Sequence, residues 1–363
     1  MKRYVLIKVL RFLGVFRLLR WLNRNSVTIL YVHGIAEAEE GDKWWPTRMP
    51  HATVLLKRQL ETISRYYRWI SLDDAAEMIS GRKKLEPYSM VLTFDDGYRN
   101  NMTEALPLAL AHGIKPVFYI TTGFVDNRKP FWFDRFDYII QKIREPETIE
   151  ICGIRFEFRP DDRAATARTY SDLRAFAKSH FTADEEFVSF FDSTCSRLEQ
   201  KYGESLASLQ SRDKWSATLS EADLRSLSDT GEATIGSHTV DHVRLDVIDP
   251  GQRLRQLVDS KEYLESVTGS ECVHFCYPNG NLNRDTAKMA EEVGYRTATT
   301  TVPGFNVPGD DPFRLKRMHL PNYADESRLL ALLSGFYGLR DRIMSRSRAV
   351  ARPKRALLSG SSR

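Results

Sequence analysis

Four cysteines in 363 residues are too few to staple a chain of this length. Cys152, Cys195, Cys272 and Cys276 match neither a zinc ribbon nor a redox pair, so reduced thiols, largely buried, are expected. Long apolar runs are also missing. The most apolar stretch, residues 4–22, is interrupted by Lys8, Arg11 and Arg17, which excludes a clean membrane-spanning helix. The same charges break any signal-peptide core, and no small-x-small cleavage site follows. Internal repeats and low-complexity linkers are lacking. With 42% hydrophobic residues the chain can bury one large core, and one enzyme-sized body is expected.

Acidic residues are absent from the first 25 positions, which hold seven basic groups. Residues 340–363 hold eight against Asp341, so each end carries +7 and, at net +5, the middle carries −9. An acidic body between two basic ends argues against a nucleic-acid partner and for ends that meet an anionic membrane surface. Residues 1–25 are read as an interfacial helix, with Lys2, Arg3, Arg17, Arg20 and Arg24 clustered on one side of its wheel. The main body is expected over residues 26–338, with an insertion at about 127–216 and a basic, disordered tail at 339–363. The expected location is the cytoplasm, peripheral to the inner face of a membrane.

Chemistry concentrates at two motifs. Thr93-Phe94-Asp95-Asp96-Gly97-Tyr98 closes an apolar, β-branched run, so two carboxylates emerge together at a strand's carboxyl end. Adjacent acids repel, and a divalent cation that takes one as ligand resolves the conflict. His238 and His242, four apart in Ser237-His238-Thr239-Val240-Asp241-His242, complete a His/His/carboxylate set with Asp96. Such a set suits zinc, or cobalt or nickel, with positions left for water and substrate.

These two segments, with Phe275-Cys276-Tyr277-Pro278-Asn279-Gly280, resemble the first three motifs of the polysaccharide deacetylases, carbohydrate esterase family 4. The likeness runs over roughly residues 26–320. It implies an α/β fold, a distorted (β/α) barrel with a metal site at its strand ends, and metal-dependent removal of an N-acetyl group from an amino sugar in a glycan or lipid-linked saccharide. By the resemblance Asp95 is the general base, Asp96, His238 and His242 hold the metal, and the Tyr277 backbone N–H faces the oxyanion. A glycan-binding pseudoenzyme, or hydrolysis of another C–N bond such as a formyl amide, are the alternatives.

The chain departs from the family pattern at the arginine before the third motif's proline and at a Leu-x-His element near the end. Arg314-Leu315-Lys316-Arg317-Met318-His319-Leu320 holds the substitutes. Period-two alternation puts Arg317 and His319 on one strand face, so Arg317 is expected to orient Asp95 and His319 to protonate the leaving amine. His33, closing Val27–Val32, is the rival acid. Strand and helix patterns alternate along the chain, as a parallel sheet requires. The insertion shows an aromatic helix (131–140), a hairpin at Gly153 and a long helix (184–202). Its Trp132, Phe133 and Phe136 suit either core packing or sugar stacking.

Overall fold

A computed structural model describes residues 2–342 except 40, 41, 43, 49, 161 and 324. The Lys2 and Arg3 side chains, and the basic tail beyond 342, lie outside the described residues. Two compact units emerge, Met1–Asn25 with Asp325–Arg363, and Ser26–Ala324.

The smaller unit opens with α1 (Lys2–Phe12) and α2 (Val15–Leu22). The larger runs β1 (Val27–Val32), α3 (Thr53–Ser64), β2 (Arg68–Trp69), α4 (Leu72–Ile79), β3 (Ser89–Phe94), α5 (Leu106–Leu110) and β4 (Val117–Ile120). An insertion follows, made of α6 (Trp132–Ile140), β5 (Glu147–Ile151), β6 (Ile154–Phe158), α7 (Arg163–His180) and α8 (Asp184–Tyr202). The alternation resumes with α9 (Glu221–Thr230), β7 (Thr234–Ser237), α10 (Pro250–Thr268), β8 (His274–Cys276), α11 (Arg284–Glu292), β9 (Thr297–Thr299) and β10 (Arg317–His319). Finally α12 (Glu326–Leu333) belongs to the smaller unit.

The large sheet has the order β10-β1-β3-β4-β7-β8-β9, with β2 beside β3, and every pairing in it is parallel. All six residues of β3 are buried, which is why the strand reads as an unbroken apolar run. The two ends of this path meet at Leu315, just before β10. Its N–H donates to Ala298 O at 3.0 Å, and its carbonyl accepts from the Thr300 N–H at 2.8 Å. The result is a nearly closed barrel of parallel strands, as the sequence predicts.

Local chemistry explains the element boundaries. Ser220 caps α9 in a reciprocal capping box with Asp223. The β5–β6 hairpin turns on Cys152 and Gly153, both at positive φ, the backbone that a two-residue loop favours. Gly236 in β7 has no room for a methyl group: a Cβ would sit 2.7 Å from the Tyr119 ring and 2.9 Å from the His274 carbonyl.

The insertion has its own core. Phe136, Ile139, Tyr170, Leu173, Phe191 and Leu198 are buried together. Helices α4, α7 and α12 are not among the elements that the sequence suggests, and α5 is entered through a π-helical turn at Asn101–Ala105.

In the smaller unit, Gly14 at φ 75° breaks the single expected helix into a corner. The two arms pack on α12 and its flanks. Tyr4 Oη donates to Asp325 at 3.0 Å, Arg11 pairs with Glu326 at 2.9 Å, and Phe16 meets Phe336 edge to face at 5.4 Å. Their other side stays open. Val5, Leu6, Leu18 and Leu22 are each more than half exposed, and Phe12 and Leu13 at the corner are 90% and 67% exposed. No helix among the described residues is long and apolar enough to cross a membrane.

Candidate active site

The carboxyl ends of β3, β7 and β8 deliver the motif residues to one rim of the barrel. There the chain leaves β3 with Asp96 at φ 76° and β7 with Thr239 and His242 at 68° and 57°, while Asn279, after β8, sits at 57°. Positive φ in four residues that are not glycine, all beside one cavity, marks a backbone held in strain by its surroundings.

Asp95 and Asp96 are both buried, yet they face different partners. Asp95 lies in the fork of Arg317, with Oδ1 2.7 Å and Oδ2 2.8 Å from the two terminal nitrogens. Arg317 is completely buried. It also donates to Thr300 O at 2.8 Å and Thr93 Oγ1 at 3.0 Å, and lies 3.0 Å from Cys276 Sγ. Burial opposes the Asp95 charge, but the guanidinium's charge and hydrogen bonds outweigh it and hold the carboxyl below its ordinary value. The Arg317 guanidinium is raised in turn by the same pair.

Asp96 turns toward the histidines. Its Oδ1 has no hydrogen-bond partner among the described residues, though it lies 3.6 Å from His238 Nε2 and 3.4 Å from His242 Nε2. One ligand atom from each of the three residues falls within 4.8 Å of the others. His238 Nδ1 donates to Cys276 O at 2.7 Å, which fixes the tautomer and leaves Nε2 with its lone pair toward Asp96. A buried carboxylate oxygen without a donor, facing two oriented imidazole nitrogens, fits one first-row divalent ion. Asp96 is held well below the ordinary carboxylate range, its burial being overcome by His242, His33 and His238.

The cavity above this group has a volume of about 310 Å³. Its walls include His33, Arg48, Phe133 and Asn279, and the insertion closes one side with Trp132, Arg174 and Lys178. Phe131 and Phe133 stack at 5.0 Å, and each meets the His242 ring edge at 5.8 Å. Trp132 packs edge to face on Phe187 at 5.0 Å. So Phe136 packs the insertion's core while Trp132 and Phe133 also wall the cavity.

Asp95, Asp96, His238, His242 and Arg317 thus come together. Two other residues singled out in the sequence are placed differently. The Tyr277 N–H does not face the cavity as an oxyanion donor, because it donates to Thr299 O at 3.1 Å in the β8–β9 pairing, and the phenol donates to Phe313 O at 3.1 Å. His319 is exposed at the end of β10, its ring 5.1 Å from Tyr31, and lines a neighbouring cavity. His33 lines both cavities. Burial lowers its proton affinity, partly offset by Asp96 and Asp95. Asn279 and the cations Arg48, Arg174, Lys178 and Arg244 are cavity residues that the sequence did not single out. For Asn279 the signal was present: Pro278 has no N–H, so the next amide in that turn is the first available.

Residues 82–152 and 193–298 match the family model described as polysaccharide deacetylase. The chain carries a polysaccharide deacetylase domain. One curated relative, the putative polysaccharide deacetylase YxkH of Bacillus subtilis (strain 168), is 34% identical over 86 residues, which are 24% of this chain and only 30% of that protein. Among solved structures, the Streptococcus pyogenes deacetylase PplD in complex with acetate superposes with a TM-score of 0.55 at 15% identity, covering 85% of this chain and 98% of that one. IcaB from Ammonifex degensii gives 0.54 at 14% identity, covering 85% and 97%. At these identities the likeness speaks for the fold. The family consists of hydrolases of carbon–nitrogen bonds that are generally metal-dependent, and the Asp96, His238 and His242 group offers such a site.

Proposed function

We propose that this protein is a metal-dependent hydrolase that removes an N-acetyl group from an amino sugar in a glycan or lipid-linked saccharide. One observation carries the reading: two adjacent carboxylates with divided roles, Asp95 in a guanidinium fork and Asp96 facing two histidines without a donor. Zinc is the preferred ion, with cobalt or nickel able to serve. Held by Asp96, His238 and His242, it would polarise the acyl carbonyl and acidify a water.

The chain's own residues supply the rest. Asp95, ionised and oriented by Arg317, takes the proton from the attacking water. Arg317, fully buried and not on the cavity wall, is a positioning residue. The Asn279 N–H replaces Tyr277 as the amide offered to the oxyanion. His33, on the wall of the same cavity, gives a proton to the departing amine, in preference to the more remote His319.

The smaller unit favours a membrane-associated substrate. Its corner exposes Phe12, Leu13, Leu18 and Trp21 beside basic Lys8, Arg11 and Arg17, a combination that suits an interface with anionic lipid. Four unpaired cysteines suit the cytoplasmic face.

The test is release of acetate from N-acetylated and of formate from N-formylated amino sugars, free, polymeric and lipid-linked. Asp95→Asn should keep its metal and lose about a hundredfold or more in rate. The purified protein should hold near-stoichiometric metal and the Asp96/His238/His242 triple alanine variant none. Metal retained by that variant, or full activity in Asp95→Asn, overturns the reading.

A further inference from the structure

The cavity holds more positive charge than the hydrolysis requires. Seven of its lining groups are formally charged at neutral pH: Asp95, Asp96, Asp184, Arg48, Arg174, Lys178 and Arg244. The acids are accounted for. Asp95 is matched by Arg317, Asp184 by the Nε of Arg244, and Asp96 by its metal-ligand role. Arg48, Arg174 and Lys178 remain, and among the described residues none of them has a carboxylate within ion-pair distance.

Aromatic rings and other cations surround them, although Arg48 also feels the more distant carboxylates of Asp134 and Asp96, which raise its guanidinium. The Arg48 guanidinium lies 4.5 Å above the Phe133 ring, and that of Arg174 lies 6.0 Å from Trp132 and 5.8 Å from Tyr170. Such contacts hold a guanidinium by its face and leave its edge donors to point elsewhere. On α7, Ser171, Arg174, Ala175 and Lys178 all line the cavity, at the three- and four-residue spacing of one helix face. Two like charges four apart on a helix are mutually unfavourable. Burial, then the charge of Arg48, lowers the Arg174 guanidinium from its ordinary value, and burial, then Arg244 and Arg174, lowers the Lys178 ammonium. Arg174 is half-buried while Arg48 and Lys178 are exposed, and the three line one open cavity, where their charges raise the potential that an anion would meet.

We infer that the cavity binds a phosphate group of its substrate: the amino sugar is carried on a phosphate ester or diphosphate, held by Arg48, Arg174 and Lys178 while the acyl group meets the metal. Donors arrive from two directions, the α7 stripe and the loop after β1. That arrangement suits the several outward oxygens of a phosphate better than the two coplanar oxygens of a carboxylate, which a single arginine fork would match. The site belongs to the insertion: Arg174 and Lys178 lie within residues 153–192, between the two segments that the family model matches. The inference rests on the deacetylase reading for its chemistry and not for its binding site. A phosphate of this kind could come from a polyprenyl-type lipid or from a nucleoside diphosphate.

Two measurements separate the claims. First, phosphorus NMR or calorimetry on metal-free protein, with pyrophosphate as the probe, should show binding that weakens at least tenfold in Arg174→Gln/Lys178→Gln and is not weakened in Asp95→Asn, which removes a negative charge from the same cavity. Second, acetate release is compared for neutral N-acetylhexosamine oligomers, nucleoside-diphosphate N-acetylhexosamines and polyprenyl-diphosphate N-acetylhexosamines. The double variant should raise KM tenfold or more for whichever phosphorylated form is the better substrate, with kcat and the neutral oligomers little affected. Preference between the two phosphorylated forms identifies the source. Pyrophosphate binding without acetate release from any substrate would sink the deacetylase reading and leave the phosphate site standing. Acetate release from neutral oligomers alone, with no pyrophosphate binding, would overturn the phosphate site and leave the deacetylase. Folding of the variants is checked by their metal content, and Arg174→Lys should restore part of the binding.

Discussion

Arg317 is the residue on which the proposed base, Asp95, depends. Asp95 owes its lowered proton affinity chiefly to this buried guanidinium, with His238 and His33 adding less, so replacing Arg317 raises the carboxyl toward, or past, its ordinary value. Arg317→Lys keeps the charge but loses the two-pronged geometry. The acidic limb of its pH–rate profile should move to higher pH, with metal content unchanged; a profile that scales down without shifting would contradict the positioning role. Arg317→Met strands a buried carboxylate and should cost about 3–5 kcal/mol of stability by chemical denaturation. A second buried acid behaves in the opposite sense. Asp134 accepts from Tyr98 Oη at 2.7 Å, and burial pushes its carboxyl up to about 7, against the charge of Arg48. The folded chain therefore keeps a proton that the unfolded chain gives up between pH 4 and 7. Stability is lost as pH rises through that window, by about 1.4 kcal/mol for each unit at most. Asp134→Asn removes this slope, so its stability relative to the parent should improve from pH 5 to pH 8 in urea titrations. The two acid candidates need a paired test: His33→Ala should depress kcat strongly and His319→Ala weakly, and the reverse result would restore His319.

Strands were the most legible elements, because a buried parallel strand writes itself as a run of β-branched and apolar residues. Val27–Val32 is predicted at the residues where it occurs, and the Asp95–Asp96 motif is placed at a strand end from that pattern alone. Helix α7 was invisible for a physical reason. Its fully buried apolar residues are Tyr170, Leu173 and Ala177 over five turns, with Phe176 half-buried beside them, while its Ser171, Arg174 and Lys178 face turns to the cavity instead of the core. A helix that serves a polar site loses the periodicity that would reveal it. Tyr277 was misassigned because the motif shows which turn matters and not which amide in it is already bonded. Strand β7 carries the least margin. Gly236→Ala forces a methyl group against Tyr119 and the His274 carbonyl two residues before His238, and should cost about 1–3 kcal/mol and reduce metal content. An alanine variant with normal stability and full metal loading would show that Tyr119 can move aside.

At the scale of the whole chain, a weakly charged total of +5 hides an acidic middle and two strongly basic ends. Attraction of each basic side chain to anionic lipid is worth about 1 kcal/mol near the surface, and burial of Phe12 and Leu13 would add to it. Phe12→Ser/Leu13→Ser should therefore release the protein from phosphatidylglycerol vesicles while its hydrolysis of soluble substrate is preserved. Equal vesicle binding by parent and variant would rule out the corner as the anchor.

The barrel's last strand has a temporal consequence. Every proposed metal ligand lies at or before residue 242, while the guanidinium that holds Asp95 arrives with residue 317. During synthesis, a growing chain would present its ion-binding side chains some 75 residues before it could present a prepared base. On the proposed mechanism, loading and competence would then be separable in time: the ligands come first, and the prepared base only when the final strand seals the barrel.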